Sequence, residues 1–105
     1  IDGDELMTIH VNIQFSAQEG RAKEAADNMA NIALPMTRKQ PGCLELEFSG
    51  DIGKNEFCIW GTWSSLRDYN SYMAIRKASR KSGHNDPIDR DTWKVKIFSA
   101  IQIAD

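Results

Sequence analysis

The chain begins with a strict alternation of apolar and polar side chains. From Met7 to Ser16 the odd-numbered positions are apolar and the even-numbered positions are polar. A period of two that is rich in β-branched residues predicts a β-strand with two different faces. One face would require a core, and the other would require water or a polar cavity.

A helical pattern follows this strand. Ser16 and Glu19 have the spacing of a capping box, which predicts a helix that begins at Ala17. Pro35 lacks the amide that a continuing helix needs, so it is expected to end or kink this helix. The predicted apolar stripe recurs at steps of three and four and consists of Ala22, Ala25, Ala26, Met29, Ile32, Ala33 and Met36.

Residues 43–63 are typical of an antiparallel β-hairpin. Two alternating runs, 43–48 and 56–63, flank the turn-rich sequence SGDIGKN. In the first run, the alternation predicts one face with Leu44, Leu46 and Phe48, and another with Cys43, Glu45 and Glu47.

A second helix and a last strand complete the pattern. Ser65 and Asp68 form another capping box, and helical spacing continues from Leu66 to about Lys81. Residues 82–91 contain Gly, Asn, Asp and Pro and predict a loop. Alternation from Thr92 to Ile103 then predicts a long strand.

The resulting order, β-α-β-β-α-β, predicts an α+β fold of the ferredoxin-like type, in which two helices cover one face of a four-stranded antiparallel sheet. Residues 7–105 are expected to form this single domain, and residues 1–6 a disordered or cloning-derived tail. The uncovered face would be mixed, with Thr8, His10, Asn12, Gln14, Glu45, Glu47, Cys58, Trp60, Thr62, Lys94, Lys96 and Phe98. Such a face suits neither solvent nor a dry core, so it predicts a homodimer that encloses a semi-polar cavity.

Composition excludes several classes of function. Hydrophobic residues make up 41% and charged residues 27%, and a net charge of −2 without a long basic block argues against nucleic-acid binding. No apolar run approaches the roughly 20 residues of a membrane span, and the acidic start is unlike a signal peptide, so a cytoplasmic protein is expected. Two cysteines without C-x-x-C spacing and two histidines predict no metal site.

Three stretches carry a family resemblance: IHVNIQFSAQEGRAKE, RKQPGCLELEFS and IWGTWSSLRDYNSYM. They resemble the first strand and helix, the Pro-Gly-Cys approach to the second strand, and the third-strand Trp with its following helix in the antibiotic biosynthesis monooxygenase family. This resemblance implies a dimeric α/β barrel with one pocket per protomer between sheet and helices. It also implies oxidation without metal or flavin, in which a resonance-stabilised substrate anion passes an electron to dioxygen.

Individual branches of the family are matched in part. Tyr69 has the spacing of a Tyr in a quinone-forming branch, whose third-strand Asn is replaced by Ile59. Asn12 fits the first-strand Asn of a haem-degrading branch. That branch also carries a Trp where this chain has Tyr72, and a haem-ligating His to which His84 is the nearest imidazole.

Three residues are candidates for catalysis. The Asn12 amide is placed to donate to a substrate oxyanion, or alternatively to a cross-strand or dimer contact. His10 is a candidate general base, because imidazole titrates near neutral pH, or alternatively a structural residue. Tyr72 is a candidate hydrogen-bond partner for a substrate oxygen, or else part of the core. The candidate substrate-binding residues, each with packing or solvent exposure as its alternative role, are Trp60, Trp63, Tyr69, Phe98 and His84.

The leading functional hypothesis is cofactor-independent monooxygenation of a small aromatic or quinol-type substrate. One alternative is a haem-binding and haem-degrading monooxygenase. Another is a dimeric barrel that binds a ligand or serves in stress response without turnover. Only the haem alternative requires a cofactor.

Overall fold

A computed structural model describes residues 7–79 and 85–104 of the chain. In chain order the elements are β1 (Ile9–Ala17), α1 (Ala22–Asn28), a π-helical segment (Met29–Ala33), α2 (Leu34–Arg38), β2 (Cys43–Asp51), β3 (Glu56–Trp63), α3 (Leu66–Ser79) and β4 (Ile88–Ser99). The first three helical elements follow one another without a break. The predicted ferredoxin-like α+β fold is therefore confirmed, whereas the predicted tail at residues 1–6 lies outside the described residues.

The four strands form one antiparallel sheet in the order β2-β3-β1-β4. In its register, Asn12 on β1 lies between Trp60 on β3 and Lys96 on β4, and Glu47 on β2 pairs with Trp60 from the other side. These side chains therefore share one face. We call this the open face, and its residues are His10, Asn12, Gln14, Glu45, Glu47, Cys58, Trp60, Thr62, Lys94, Lys96 and Phe98.

The helices cover the opposite face of the sheet. α1 packs against β1, α2 against β2 and α3 against β3. Ile9 and Val11 are each 1% exposed and Trp63 is 2% exposed, so these three side chains are fully buried in this layer. Burial of apolar surface at about 25 cal/mol per Å² makes this layer the main source of stability. The core consists of Ile9, Val11, Ile13, Phe15, Ala17, Ala25, Met29, Leu46, Phe57, Ile59, Trp63, Tyr69, Tyr72 and Ile88.

The first helix begins later than the capping box predicts. Ser16 belongs to β1, and its amide donates to Thr92 Oγ1 at 2.8 Å, so it does not cap a helix with Glu19. Gly20 then turns the chain with a φ of +75°, and α1 begins at Ala22. The prediction is wrong because pairing with β4 extends the strand through the local capping pattern.

Of the two effects predicted for Pro35, an end of the helix is wrong, because the helical run continues through α2 to Arg38. The π-helical segment widens the turn just before it, and Pro35 occupies the first turn of α2, where a missing amide costs little. The wider turn also rotates the apolar stripe. Ile32 is 59% exposed and Met36 52%, whereas Thr37 is buried, so the predicted stripe is wrong at Ile32 and Met36.

A β-bulge at the start of β2 reverses the predicted faces of two residues. The register with β3 shifts between Cys43 and Glu45. Cys43 therefore packs against the core opposite Trp63, and Leu44 is 59% exposed. From Glu45 onward the predicted alternation is confirmed. A single unpaired residue is enough to invert a face, because side chains alternate along a strand.

The predicted start of the second helix, α3, is confirmed. The Asp68 amide donates to Ser65 Oγ at 3.1 Å, which satisfies one of the unpaired amides of the first turn. The Asp68 carboxylate accepts a hydrogen bond from Ser64 Oγ at 2.6 Å. α3 begins at Leu66, and the predicted end near residue 81 lies outside the described residues.

The last strand starts and ends earlier than predicted. It spans Ile88–Ser99, because the β1–β4 ladder resumes beyond an irregularity in its register. Its pairing with β1 ends where Ser99 meets Ile9. Beyond that point Ile101 is 88% exposed and Ile103 89%, so alternation alone does not make a strand where no partner strand continues.

Candidate functional site

The structure divides the predicted site residues between the two faces of the sheet. Those on the open face are Asn12, His10, Trp60 and Phe98, and those between the sheet and the helices are Trp63, Tyr69 and Tyr72. Asn12 and Tyr72, both candidates for catalysis, therefore lie on opposite faces of the sheet and do not line a common cavity. His84 lies outside the described residues.

Two hydrogen-bonded groups lie on the open face around the middle of β1. Asn12 is 5% exposed, its Nδ2 lies 3.0 Å from Cys58 Sγ, and its Oδ1 accepts from Gln14 Nε2 at 3.2 Å. His10 Nδ1 lies 3.1 Å from Thr62 Oγ1. The amide of Asn12 and the imidazole of His10 are thus engaged by side chains of their own sheet. The contact between Asn12 and Cys58 joins β1 to β3, as the alternative structural role of Asn12 predicts.

The open face also displays an aromatic pair between charged edges. Trp60 is 45% exposed and Phe98 48%, and their ring centroids lie 6.5 Å apart. The strands at the two edges carry charges of opposite sign, all exposed: Glu45 and Glu47 on β2, and Lys94 and Lys96 on β4. Large apolar rings at half exposure are typical of a surface that another molecule covers.

A cleft of about 790 Å³ lies between the sheet and the helices. Val11, Ile13 and Ile59 line it from the sheet, and the π-helical segment and α3 contribute to its lining. Small-molecule sites are generally concave, mostly apolar and of about 300–1,000 Å³, so this cleft has the size and character of one. At Gly61 a Cβ would lie 3.2 Å from Trp63 Nε1, which shows how closely the sheet and the aromatic ring approach there.

Three aromatic rings form the wall of the cleft beside α3. Trp63 stacks on Tyr72 with centroids 5.7 Å apart and an interplanar angle of 25°, and it meets Tyr69 edge-on at 5.6 Å and 71°. The two tyrosines are three residues apart on α3, so they lie on the same side of the helix. The three rings are 2%, 5% and 6% exposed, so they pack mainly on one another and on the core.

The lining of the cleft includes a pair of hydrogen-bonded hydroxyls. Tyr72 Oη lies 2.7 Å from Thr37 Oγ1, and Thr37 Oγ1 donates to the Ala33 carbonyl at 2.9 Å. A threonine hydroxyl has one proton, so while it points to Ala33, Tyr72 must donate to Thr37. If Thr37 turns its proton to Tyr72, the Tyr72 hydroxyl becomes free to donate to a ligand oxygen. The pair can therefore redirect one hydrogen bond into the cleft.

Burial raises the pKa of two ionisable groups. It raises the pKa of the Tyr69 phenol, because it disfavours the charged phenolate. It also raises the pKa of the Cys43 thiol, against a smaller opposing effect of Arg38. A thiol that stays protonated is a poor nucleophile.

Charged side chains stand at the rim of the cleft. Arg90 Nε donates to Asp86 Oδ2 at 2.6 Å, and its guanidinium lies 4.9 Å from the ring centroid of Trp93. Arg76 and Lys77, from the last turn of α3, also line the cleft and are exposed. Polar and charged groups at the mouth of an apolar cleft commonly orient a ligand.

Several residues of the cleft are not found by reading the sequence. Thr37 and Tyr72 are 35 residues apart and meet only because α2 and α3 share one face of the sheet. Thr37 lies in α2, one residue beyond the predicted apolar stripe. Trp93 shares the helix-side face of the predicted last strand, so the alternation is the signal that points to it. For Arg76 and Lys77 the sequence gives no signal beyond their place on a helix.

Neither a cluster of metal ligands nor a membrane-spanning helix occurs in residues 7–79 and 85–104. Within these ranges no three side chains of His, Cys, Asp or Glu gather as a metal site. The helices of the same ranges are too short or too polar to traverse a bilayer.

Known structures share this fold. A Deinococcus radiodurans protein assigned to the antibiotic biosynthesis monooxygenases is 19% identical, with a TM-score of 0.67 over 92% of this chain and 96% of its own. SnoaB, a cofactor-independent oxygenase from Streptomyces nogalater, is 18% identical, with a TM-score of 0.65 over 92% of this chain and 96% of its own. A Shewanella oneidensis protein is 14% identical, with a TM-score of 0.72 over 90% of this chain and 92% of its own. At these identities the likeness establishes the fold alone.

Sequence comparison identifies the family. No curated protein matches the chain significantly. The sequence profile of the antibiotic biosynthesis monooxygenases matches residues 8–77, which is well over half of the chain. The family resemblance seen in the three sequence stretches is thereby confirmed. The chain belongs to the antibiotic biosynthesis monooxygenase family.

Proposed function

We propose that this protein is a cofactor-independent monooxygenase that binds a small aromatic or quinol-type substrate in the cleft between sheet and helices. The observation that carries the proposal is the pairing of a stacked aromatic wall with a redirectable hydroxyl inside that cleft. The family and the cofactor-independent oxygenase among the similar structures are consistent with this role.

Tyr72 is the residue we propose for the central chemical role. Oxidation of a phenol or quinol by dioxygen proceeds from the electron-rich anion of the substrate. A donor that binds the developing oxyanion more strongly than the neutral oxygen favours this anion. The Tyr72 hydroxyl meets this requirement when Thr37 supplies its alternative hydrogen bond. Trp63 and Tyr69 would hold the ring of the substrate flat against the wall.

Asn12 and His10 receive a different role in this proposal. Both lie on the open face, away from the cleft, and both contact neighbouring strands. We propose that they belong, with Trp60 and Phe98, to a homodimer interface that covers the open face. The opposite charges of the two sheet edges support this, because a two-fold axis parallel to the strands would set β2 of one copy against β4 of the other.

The described residues place no imidazole in the cleft that could ligate haem, and the candidate His84 lies outside them. Haem degradation needs an axial ligand, which is most often an imidazole, in the cleft. Within the described residues the one imidazole is that of His10, which lies on the open face and contacts Thr62. We therefore assign no step to haem. The non-catalytic alternative is separated from the proposed oxygenase by the experiment that follows.

Oxygen uptake by the purified protein with a panel of electron-rich phenols, quinols and anthrones tests the proposed reaction. We expect at least one compound to be consumed at a rate that dialysis against a chelator does not change. Tyr72→Phe should lower kcat by about 100-fold, as loss of one oxyanion donor does elsewhere. Thr37→Val should cause a smaller loss, because Tyr72 then keeps its hydroxyl but loses its orienting partner.

Ser71→Ala is the matched control for these variants. It also removes one hydroxyl from α3, at an exposed position outside the cleft lining. Its rate should equal that of the unchanged protein. If no compound of the panel is consumed, the oxygenase proposal is wrong and a ligand-binding barrel without turnover takes its place.

A further inference from the structure

The charged residues at the rim of the cleft indicate the charge of the substrate, which the aromatic wall does not. Asp86 is the one carboxylate among the described residues of the cleft lining. It accepts a hydrogen bond from Arg90 Nε at 2.6 Å, so these two charges offset each other. Arg76 and Lys77 add two further positive charges on the same rim.

Neither of these two cations forms an ion pair with a carboxylate of the described residues. In the ranges 7–79 and 85–104 the ion-paired cations are Arg21, Lys23 and Arg90, and Arg76 and Lys77 are among the cations without an ion pair. Both side chains are exposed and extend from the last turn of α3. A neutral aromatic ligand in the cleft would form no ionic contact with these two side chains, whereas an anionic ligand would.

We propose that Arg76 and Lys77 select substrates that carry a carboxylate beside their aromatic ring system. The ring would enter the cleft against Trp63, and the carboxylate would remain at the mouth within reach of the two cations. Charge-assisted hydrogen bonds from Arg and Lys to a carboxylate are about twice as strong as neutral ones. This inference rests on the proposed use of the cleft as the substrate site and adds the class of substrate.

A structural role offers a competing explanation of the same two residues. Cations in the last turn of a helix interact favourably with the partial negative charge of its C-terminus. That role would affect the stability of α3, and it would not distinguish an acid from its amide in the cleft. The test must therefore measure selectivity and thermal stability side by side.

Equilibrium dialysis with naphthoate and naphthamide provides this test. The two probes share a ring system and differ in the charge of one substituent. We expect naphthoate to bind about tenfold more tightly than naphthamide, and this preference should shrink as salt is raised. In the double variant Arg76→Gln and Lys77→Gln, naphthamide binding should be unchanged and the preference should fall to less than twofold.

Arg67→Gln is the matched control, because Arg67 is exposed in the first turn of α3 and does not line the cleft. It should keep the full preference for naphthoate. The inference is overturned if the unchanged protein binds both probes equally, or if the double variant keeps the preference and loses only melting temperature. In either case naphthamide binding that Tyr72→Phe weakens would leave the proposed cleft intact. Failure of both probes to bind would overturn the inference together with the proposed site.

Discussion

At the scale of single residues, Gly42 shows why the Pro-Gly-Cys stretch before β2 requires glycine. Its φ is +88°, and a Cβ there would lie 2.5 Å from Asp68 Oδ2 and 2.6 Å from Asp68 Cβ. The Gly42 carbonyl accepts a hydrogen bond from the Ser64 amide at 2.8 Å, so the turn is fixed against the start of α3. The glycine therefore joins the two halves of the fold at a point where a side chain has no room.

Gly42→Ala is expected to reduce the free energy of unfolding by about 3 kcal/mol, from a left-handed backbone penalty of about 1–2 kcal/mol and a steric clash of similar size. Gly20→Ala is the matched control, since Gly20 also has a positive φ, of +75°, with nothing within 4 Å of a Cβ. It should cost about 1 kcal/mol. Urea denaturation of both variants measures the difference, and equal losses would contradict the clash with Asp68.

The aromatic residues of the cleft could be predicted from the sequence, but their polar partner could not. Tyr69 and Tyr72 lie on one helix, and their spacing alone places them on the same side of it. Thr37 comes from a distant segment, so its contact with Tyr72 depends on tertiary packing. Asn12 was predicted on the correct strand face, but which face contains the cleft depends on where the helices pack.

At the scale of elements, the two predicted capping boxes had different outcomes for a physical reason. Ser65 follows β3 with no further strand to pair, so its hydroxyl is free to cap α3. Ser16 lies where β4 continues the sheet, and its amide is bound by Thr92. Local patterns such as capping are thus overridden when a long-range partner offers the same backbone group a hydrogen bond.

Ser65→Ala should destabilise the protein by about 1 kcal/mol, because the Asp68 amide loses its hydrogen-bond acceptor at 3.1 Å. Ser71→Ala, in the exposed middle of α3, should change stability by no more than about 0.5 kcal/mol. Thermal and urea unfolding followed by circular dichroism would measure both. A loss for Ser71→Ala as large as that for Ser65→Ala would contradict the capping role.

The remaining differences between predicted and observed elements have equally local causes. The bulge after Cys43 and the π-helical segment each break the regular period by one residue, and no propensity scale registers a single extra residue. The order and type of the elements could be predicted because those depend on long runs of pattern. Strand ends could not, since they depend on how far a neighbouring strand continues.

At the scale of the whole molecule, the open face is a side of the sheet that no helix of the described residues covers. Its aromatic pair of Trp60 and Phe98 is about half exposed, at 45% and 48%. A homodimer would bury these rings and complement the charges of the two sheet edges. It would also leave the cleft on the outer, helical side of each copy.

The proposed homodimer predicts a clear response to one charge on the open face. Sedimentation at micromolar concentration should show a dimer, and Trp60→Glu should weaken it by at least about 100-fold, because an aromatic anchor is lost and an unpaired charge is buried. Ile75→Glu is the control, since Ile75 is 61% exposed on α3 and outside the open face. That variant should remain dimeric. A stable, folded monomer of the unchanged protein would refute the proposed interface.

The π-helical segment determines which side of the helical run Thr37 faces. One residue advances an α-helix by about 100°, and the widened turn absorbs one such step between Met29 and Thr37. Both residues are consequently buried on the same side. Loss of a single codon from this segment would turn the threonine hydroxyl toward bulk water and leave the tyrosine opposite it without a proton partner. The reading frame of the chain would survive such a deletion, while the geometry that we assign to catalysis would be lost.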